Sequence, residues 1–453
     1  MNGSSLAKTA EIALISGLVV SVLFFGGTEP ASFAAVEVLL FAAAAWIIAK
    51  RGTAVAERSV YFAVPIFLAA WGLLQLSPLS AGILRLVAGR REGKGGPAVL
   101  SVAPYQTRAE LLILLTCLAA FYLAVFVGGE RERKRRLVLA LVALGVGEAF
   151  YGLVQYLANW QTIWWYSKKY DLEEATGTYI NRNHFAGLLE MILPFAVCLA
   201  LYEAERLASR RTRGVRHSRN ASPNFSSVSL WLAIGVVLMA GLVFSRSRMG
   251  LLAAAASLLV IFSLNVLQKR MAPVAIGFAF VLLSLSFAAW IGLRPTVTRF
   301  EGLGEELSGQ QETRLSIWPG AVKLIGERPL VGNGLGTFPV AYTQFQTAFL
   351  TKNVNHAHND YLELASDLGI PAALVLFASI VWVLIRAMRT FFRAESRFER
   401  NLSLACVGSI VAISLHSLAD FNLYIPANAL VFTVILGIAL AATAETPQAE
   451  ANA

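Results

Sequence analysis

Apolar runs of membrane-spanning length recur from one end of this 453-residue chain to the other, and no other feature restricts its fold as strongly. About twelve can be read, centred near Val19, Leu40, Phe67, Ala119, Gly145, Leu193, Val237, Ala256, Phe280, Leu376, Ile410 and Val434. A helix needs roughly 20 apolar residues to cross the hydrocarbon core of a bilayer. Inside lipid every backbone N–H and C=O must find its partner within the segment, so such runs form helices. Composition agrees, with 57% hydrophobic and 15% charged residues and a mean hydropathy of +0.62. The expectation is an all-α polytopic membrane protein with about 12 transmembrane helices in one integral domain over 1–442. Residues 443–453 are expected to form a disordered cytoplasmic tail. Lys8 before the first run resembles a signal peptide, but the spans that follow favour an uncleaved anchor.

Orientation follows from the basic residues, which gather in short cytoplasmic loops. An N-terminus in the cytoplasm puts loops 50–58, 130–136, 203–227, 268–271 and 386–401 inside, with more than half of the 38 Lys and Arg. The net charge of +10 is then a topology signal. The arginine runs lack the interleaved aromatics of a nucleic-acid surface, so the expected partner is the lipid bilayer and no nucleic acid. Cys117, Cys198 and Cys406 all fall in spans, against a disulfide framework or a thiolate metal site.

The same topology leaves two outer loops of note. Residues 78–108 read as flexible. Residues 293–367 form the larger loop, partly helical, with helical character over 317–325 and a possible interfacial helix over 338–349. Gly332, Gly334 and Gly336 lack the strand-turn-helix setting of a nucleotide loop and read as a tight turn.

Several polar clusters come to that outer face. Two of only five histidines lie in His356-Ala357-His358-Asn359-Asp360-Tyr361. Asn181, Asn183 and His184 precede one span, and Arg246 and Arg248 sit between two others. Arg314 lies in the large loop, and His416 and Asp420 end a further span. Guanidinium forks match phosphate oxygens, and histidine moves protons near neutral pH. Such a face suits a lipid-pyrophosphate substrate, with arginines on the diphosphate and a histidine as base. Each cluster also has a plainer reading: arginines anchoring helix ends at headgroups, His358 as a hydrogen-bonded structural residue, Asn181 and Asn183 as helix caps. Glu37, Glu148 and Glu190 fall inside apolar spans, where a carboxyl seeks a partner or a cavity; an arginine partner and a catalytic role both stay open for them. His356-x-His358-x-Asp360 starts like a binuclear metal-binding run, but Tyr361 stands where a further His is needed, and no other segment supplies ligands. No metal or other cofactor is expected.

Four segments resemble the bacterial O-antigen ligase and polymerase superfamily, membrane glycosyltransferases of the C type. They are Gly177 to Ala186, Ser245 to Gly250, Arg314 to Trp318 followed by Pro329 to Gly334, and His358-Asn359 with Gly369 downstream. The likeness spans roughly 177–426, and Met249 departs from it where the family commonly has glycine. The resemblance implies a periplasmic active site and an inverting, metal-independent transfer of glycan from undecaprenyl pyrophosphate to an acceptor hydroxyl. His358 would be the general base. Arg248 and Arg314 would bind the diphosphate, with Arg246 competing for Arg248's role. Asn181, Asn183, His184, His356, Asn359, Asp360, His416 and Asp420 would support them. The acceptor would be lipid A core or a second lipid-linked glycan, in the inner (plasma) membrane. A protein O-oligosaccharyltransferase is the alternative within the class, and a lipid-linked glycan flippase or exporter the alternative outside it.

Overall fold

The computed structural model describes residues 3–51, 61–80, 82, 99–212, 225–270, 314–346 and 354–442, with part of 275–286. Helices occupy most of them. In chain order they are α1 (Gly3–Leu23), α2 (Pro30–Arg51), α3 (Ala63–Leu76), α4 (Pro104–Val127), α5 (Arg131–Leu157), α6 (Arg182–Thr212), α7 (Phe225–Phe244) and α8 (Arg248–Leu267). After them come α9 (Trp318–Glu327), α10 (Phe338–Ala341), α11 (Asp360–Leu368), α12 (Ile370–Arg393), α13 (Arg397–His416) and α14 (Pro426–Ala442). A two-residue antiparallel pair, β1 (Thr162–Ile163) with β2 (Tyr166–Ser167), follows α5.

Among the described residues nine helices are long and apolar enough to cross a membrane: α1, α2, α4 to α8, α12 and α13. The runs near Phe67 and Val434 become the shorter apolar helices α3, of 14 residues, and α14, of 17 residues. Among the described residues, then, nine of the twelve expected runs form helices of full spanning length. The run near Phe280, the loop at 83–98, residues 293–313 and the tail at 443–453 lie wholly or largely outside the described residues.

Local sequence fixes several helix starts. Proline, whose missing N–H costs nothing in a first turn, opens α4, α9, α10 and α12. Ser247 caps α8 by accepting from Gly250 N, and Ser396 caps α13 by accepting from Glu399 N. The stretch expected as one helix over 338–349 is broken instead. Four residues of α10 pass into a 3-10 turn at Tyr342–Phe345 that ends at an extended Gln346, and 347–349 lie outside the described residues. Phe338 stacks on Tyr342 at 5.0 Å, and both are buried, so this segment packs inward instead of lying on a surface.

Over its apolar stretch α6 is the most enclosed of these nine helices, walled by α7, α8 and α13, whereas α12 keeps most of its surface outward. Small residues permit the approach. A Cβ on Gly187 of α6 would lie 2.2 Å from Asn422 Oδ1, and one on Gly250 of α8 would lie 2.7 Å from Ala186.

The two ends of the bundle hold different polar clusters. At one end Glu11 pairs with Arg133 and Arg136, Lys134 with Glu399 at 2.7 Å, and Glu205 with Arg270 and Arg400. These are the loops that the basic-residue count puts together. Lys134 and Glu399 are both buried, as a charge away from water must be paired. The opposite end gathers 158–181, 245–248, 314–346, 354–369 and 416–425. They are tied by bonds such as Trp164 Nε1 to Leu23 O at 2.8 Å and Asn359 Nδ2 to Leu418 O at 2.9 Å.

Candidate active site

Asp420, in the turn after α13, is the hub of this second end. Its side chain is wholly buried. Oδ1 accepts from Phe421 N at 3.0 Å and lies 3.3 Å from His358 Nδ1, while Oδ2 lies 3.2 Å from Arg314 Nη2. Arg314 also donates from Nη1 to Ala419 O. Burial by itself would push the Asp420 carboxyl up. The Arg314 guanidinium and the hydrogen bond from His358 outweigh it and hold the group well below the usual carboxylate range. An ionised Asp420 selects the His358 tautomer with the proton on Nδ1, so Nε2 carries the lone pair. The His358 side chain is 29% exposed and Arg314 is 38% exposed, so both remain reachable while their buried partner is not.

Backbone sets the aim of His358. It has φ of +49°, a left-handed conformation that histidine tolerates better than most residues. Asn359 follows as the cap of α11, accepting from Leu362 N at 3.1 Å while its amide reaches Leu418 O. Asp360 then faces away from His358. It accepts from Ser417 Oγ at 2.6 Å and from Leu423 N at 3.2 Å, and its own N–H reaches Ser417 O and Asp420 O. One short helix start thus stitches α11 to the 417–423 turn and brings His358 to Asp420.

His356 takes a different partner. Its Nδ1 lies 2.7 Å from Glu363 Oε1, and its ring lies flat on Phe421, with centroids 3.8 Å apart and planes within 8°. Burial pulls the His356 imidazole down to about 4, although Glu110 and Asp420 favour its charged form, so it is neutral near pH 7. Burial pushes the Glu363 carboxyl well up. The edges of His184 and His358 meet the same Phe421 ring at 4.6 and 4.9 Å. The side chains of the His-x-His-x-Asp run therefore pair with three different residues, His356 with Glu363, His358 with Asp420 and Asp360 with Ser417. Among the described residues no group of three or more His, Cys, Asp or Glu is placed to hold a metal ion.

A fully buried pair lies behind this layer, His416 Nδ1 to Glu190 Oε2 at 2.9 Å. The partner of Glu190 is thus a histidine, where sequence left an arginine open. Glu148 takes another use, accepting from Thr178 N and Oγ1 at 2.8 Å each. His184 Nε2 approaches Asp420 Oδ1 to 3.9 Å. Asn181 sits at the cap of α6 and accepts from Asn183 N at 2.8 Å, the plainer of the readings its sequence allowed.

The two arginines of the 245–248 junction separate. Arg246, with φ of +52°, pairs with Glu173 at 3.0 Å and Glu174 at 3.7 Å, beside Arg182 on the same Glu174. Arg248 opens α8, whose Gly250 rests on Ala186, two residues beyond His184. It therefore starts at the level of the histidine layer.

Sequence reasoning missed Glu363 and Phe421. Glu363 carried one signal, an acidic residue in the first turn of a helix capped by Asn359. Phe421 carried none, since one more phenylalanine among 27 is unremarked until histidines pack around it.

Beside the site lies a cavity of about 630 Å³, walled by α3, α4, α12 and α14. Its lining is mostly apolar, with Leu68, Phe121, Leu376 and Leu436 among its residues, and Glu110, Ser379, Tyr424 and Thr433 are among its polar members. It adjoins the histidine layer directly. Tyr424 is 5.9 Å from the His356 ring and donates to Asp367 Oδ2, and the Leu423 N–H is the one held by Asp360.

No curated protein matches this chain. A family model does match, over residues 233–377, and its description is O-antigen ligase. The matched stretch contains Arg246, Arg248, Arg314, His356 and His358, whereas His184, His416 and Asp420 lie outside it. The resemblance carried by the four motifs and the match to this model agree: over residues 233–377 the chain is similar to the O-antigen ligases.

Proposed function

We propose that the protein transfers a glycan from undecaprenyl pyrophosphate to an acceptor hydroxyl at the periplasmic face of the bacterial inner membrane. The observation that carries this reading is one buried carboxylate, Asp420, holding both His358 and Arg314. A buried acid that fixes the tautomer and orientation of a histidine is the arrangement of a general base. An arginine on the same carboxylate brings positive charge to the place where a diphosphate must leave.

In the proposed reaction the acceptor oxygen attacks the anomeric carbon from the face opposite the diphosphate. Its proton passes to His358 Nε2 as the carbon–oxygen bond to the lipid diphosphate breaks. The bonding pair leaves with the diphosphate, whose charge Arg314 and Arg248 offset. The anomeric configuration is inverted. Of the two junction arginines Arg248 is the stronger candidate for the diphosphate, because it opens α8 level with the histidine layer. The apolar cavity beside the site offers room for lipid hydrocarbon next to the chemistry, which favours a lipid-borne donor over a soluble one.

His358 and the arginines supply proton acceptance and charge stabilisation, so the mechanism has no metal step. Transfer should persist after exhaustive chelation. Loss on chelation, restored by a divalent metal, contradicts that mechanism.

Deleting the gene and profiling surface glycans tests the function. Lipid A core free of polymer indicates a ligase, and core bearing a single repeat indicates a polymerase. An unchanged glycan profile counts against glycan transfer altogether.

A further inference from the structure

We propose that Glu363 is a positioning residue for the transfer reaction, gripping the two residues before His358 so that the base meets its substrate. The inference rests on the general-base reading of His358.

Glu363 is 1% exposed and lies beneath the 356–358 segment. Its two oxygens divide between consecutive residues. Oε1 lies 2.7 Å from His356 Nδ1, and Oε2 accepts from Ala357 N at 2.7 Å. Ala357 is itself buried, and its carbonyl accepts from Trp318 Nε1 at 3.2 Å. The chain entering His358 is thus fixed by one carboxylate on its N–H side and one indole on its C=O side.

A second line runs through the rings. Glu363 holds His356, His356 lies flat on Phe421, and the Phe421 ring meets the edge of His358 at 4.9 Å. Backbone and side chain of His358 are therefore both referred to Glu363, although Glu363 touches neither. His358 also keeps a left-handed backbone, which persists where neighbours over-determine it. Asn359 fixes the following residue from the helix side, and Glu363 fixes the preceding ones. Burying a carboxyl is costly, and both of its oxygens here serve this one segment.

The test uses full-length protein in phospholipid vesicles. Lipid-diphosphate-linked glycan extracted from the source cells serves as donor, and undecaprenyl diphosphate as the binding probe. Glu363→Ala should lower turnover by about 100-fold, the scale of a base displaced by an ångström. Its Kd for undecaprenyl diphosphate should stay within about threefold, since the arginines are untouched. Glu363→Gln should restore most of the rate, because the amide oxygen can accept from Ala357 N while the amide nitrogen donates to His356 Nδ1. Wild-type turnover in Glu363→Ala overturns the inference. So does joint loss of turnover, donor binding and thermal stability, which marks a merely structural residue. If Glu363→Ala fails to insert, Glu363→Gln decides alone, and an inserted but inactive protein overturns the inference. His358→Ala is measured alongside: if it keeps its activity the base reading itself fails, whereas a dead His358→Ala with an active Glu363→Ala sinks only the positioning role.

Discussion

At the scale of single residues the site is organised by Asp420, and its partners make distinct predictions. Asp420→Asn keeps the size of the side chain but removes the charge facing Arg314 and the strong acceptor for His358 Nδ1. Transfer should fall by about 10²- to 10⁴-fold, the range seen when a general base loses its proton-accepting state or orientation. A variant with full activity would show that His358 needs no orienting acid. The two junction arginines should also differ. Arg248→Ala is expected to weaken binding of undecaprenyl diphosphate more than Arg246→Ala, because Arg248 opens α8 level with the histidine layer while Arg246 turns to Glu173 and Glu174. Equal losses in the two variants would contradict that assignment. Sequence made the histidines legible because the whole chain has only five, and the arginines because each sits in a polar cluster between apolar runs. It did not show which of them meet. Asp420 and His358 are 62 residues apart, and Glu190 and His416 are 226 apart, separations that no local pattern reports.

At the scale of elements, the turn Gly332-Asn333-Gly334-Leu335-Gly336 holds α11 in place. Its three glycines have φ of +70°, +114° and +67°, values that side chains rarely adopt. The turn lies against the end of α11: Asn333 N donates to Ser366 O, Gly334 N to Asp367 O, and Gly336 N to Asp367 Oδ2 at 2.7 Å. Gln75 of α3 braces the same joint, donating to Val331 O and Asp367 O and accepting from Leu335 N. A Cβ on Gly332 would lie 2.3 Å from the Asp367 carbonyl oxygen, a backbone atom that cannot swing aside. Gly332→Ala should therefore destabilise this region on the order of 1–3 kcal/mol or more. Faster proteolysis of the large loop in membranes would report the change, and an unaltered cleavage rate would contradict it. The turn was readable from its glycines, and α9 from its periodicity. The break after Ala341 was not, because 338–349 is apolar enough for an interfacial helix and only tertiary packing of Phe338 and Tyr342 draws it inward.

At the scale of the whole molecule, hydropathy alone located the apolar helices, since each long span carries its own signal. The alternation of basic loops also anticipated the two unlike ends, one tied by Lys134–Glu399 and Glu205–Arg400, the other holding the histidine layer. Lengths were less legible. α3 and α14 are apolar throughout yet stop short, and both line the cavity beside the site. Apolar residues facing a cavity look the same in sequence as those facing lipid, so neither the cavity nor its place next to Tyr424 could be read from the chain. The central claim, that His358 is the base of a glycan transfer from a lipid diphosphate, is tested most directly in vesicles. Wild-type protein and His358→Ala are supplied with the same extracted lipid-linked glycan and acceptor, and both product formation and undecaprenyl diphosphate binding are measured. The account predicts that His358→Ala binds the lipid diphosphate as the wild type does and forms no detectable product. Product formation by His358→Ala at the wild-type rate would contradict it.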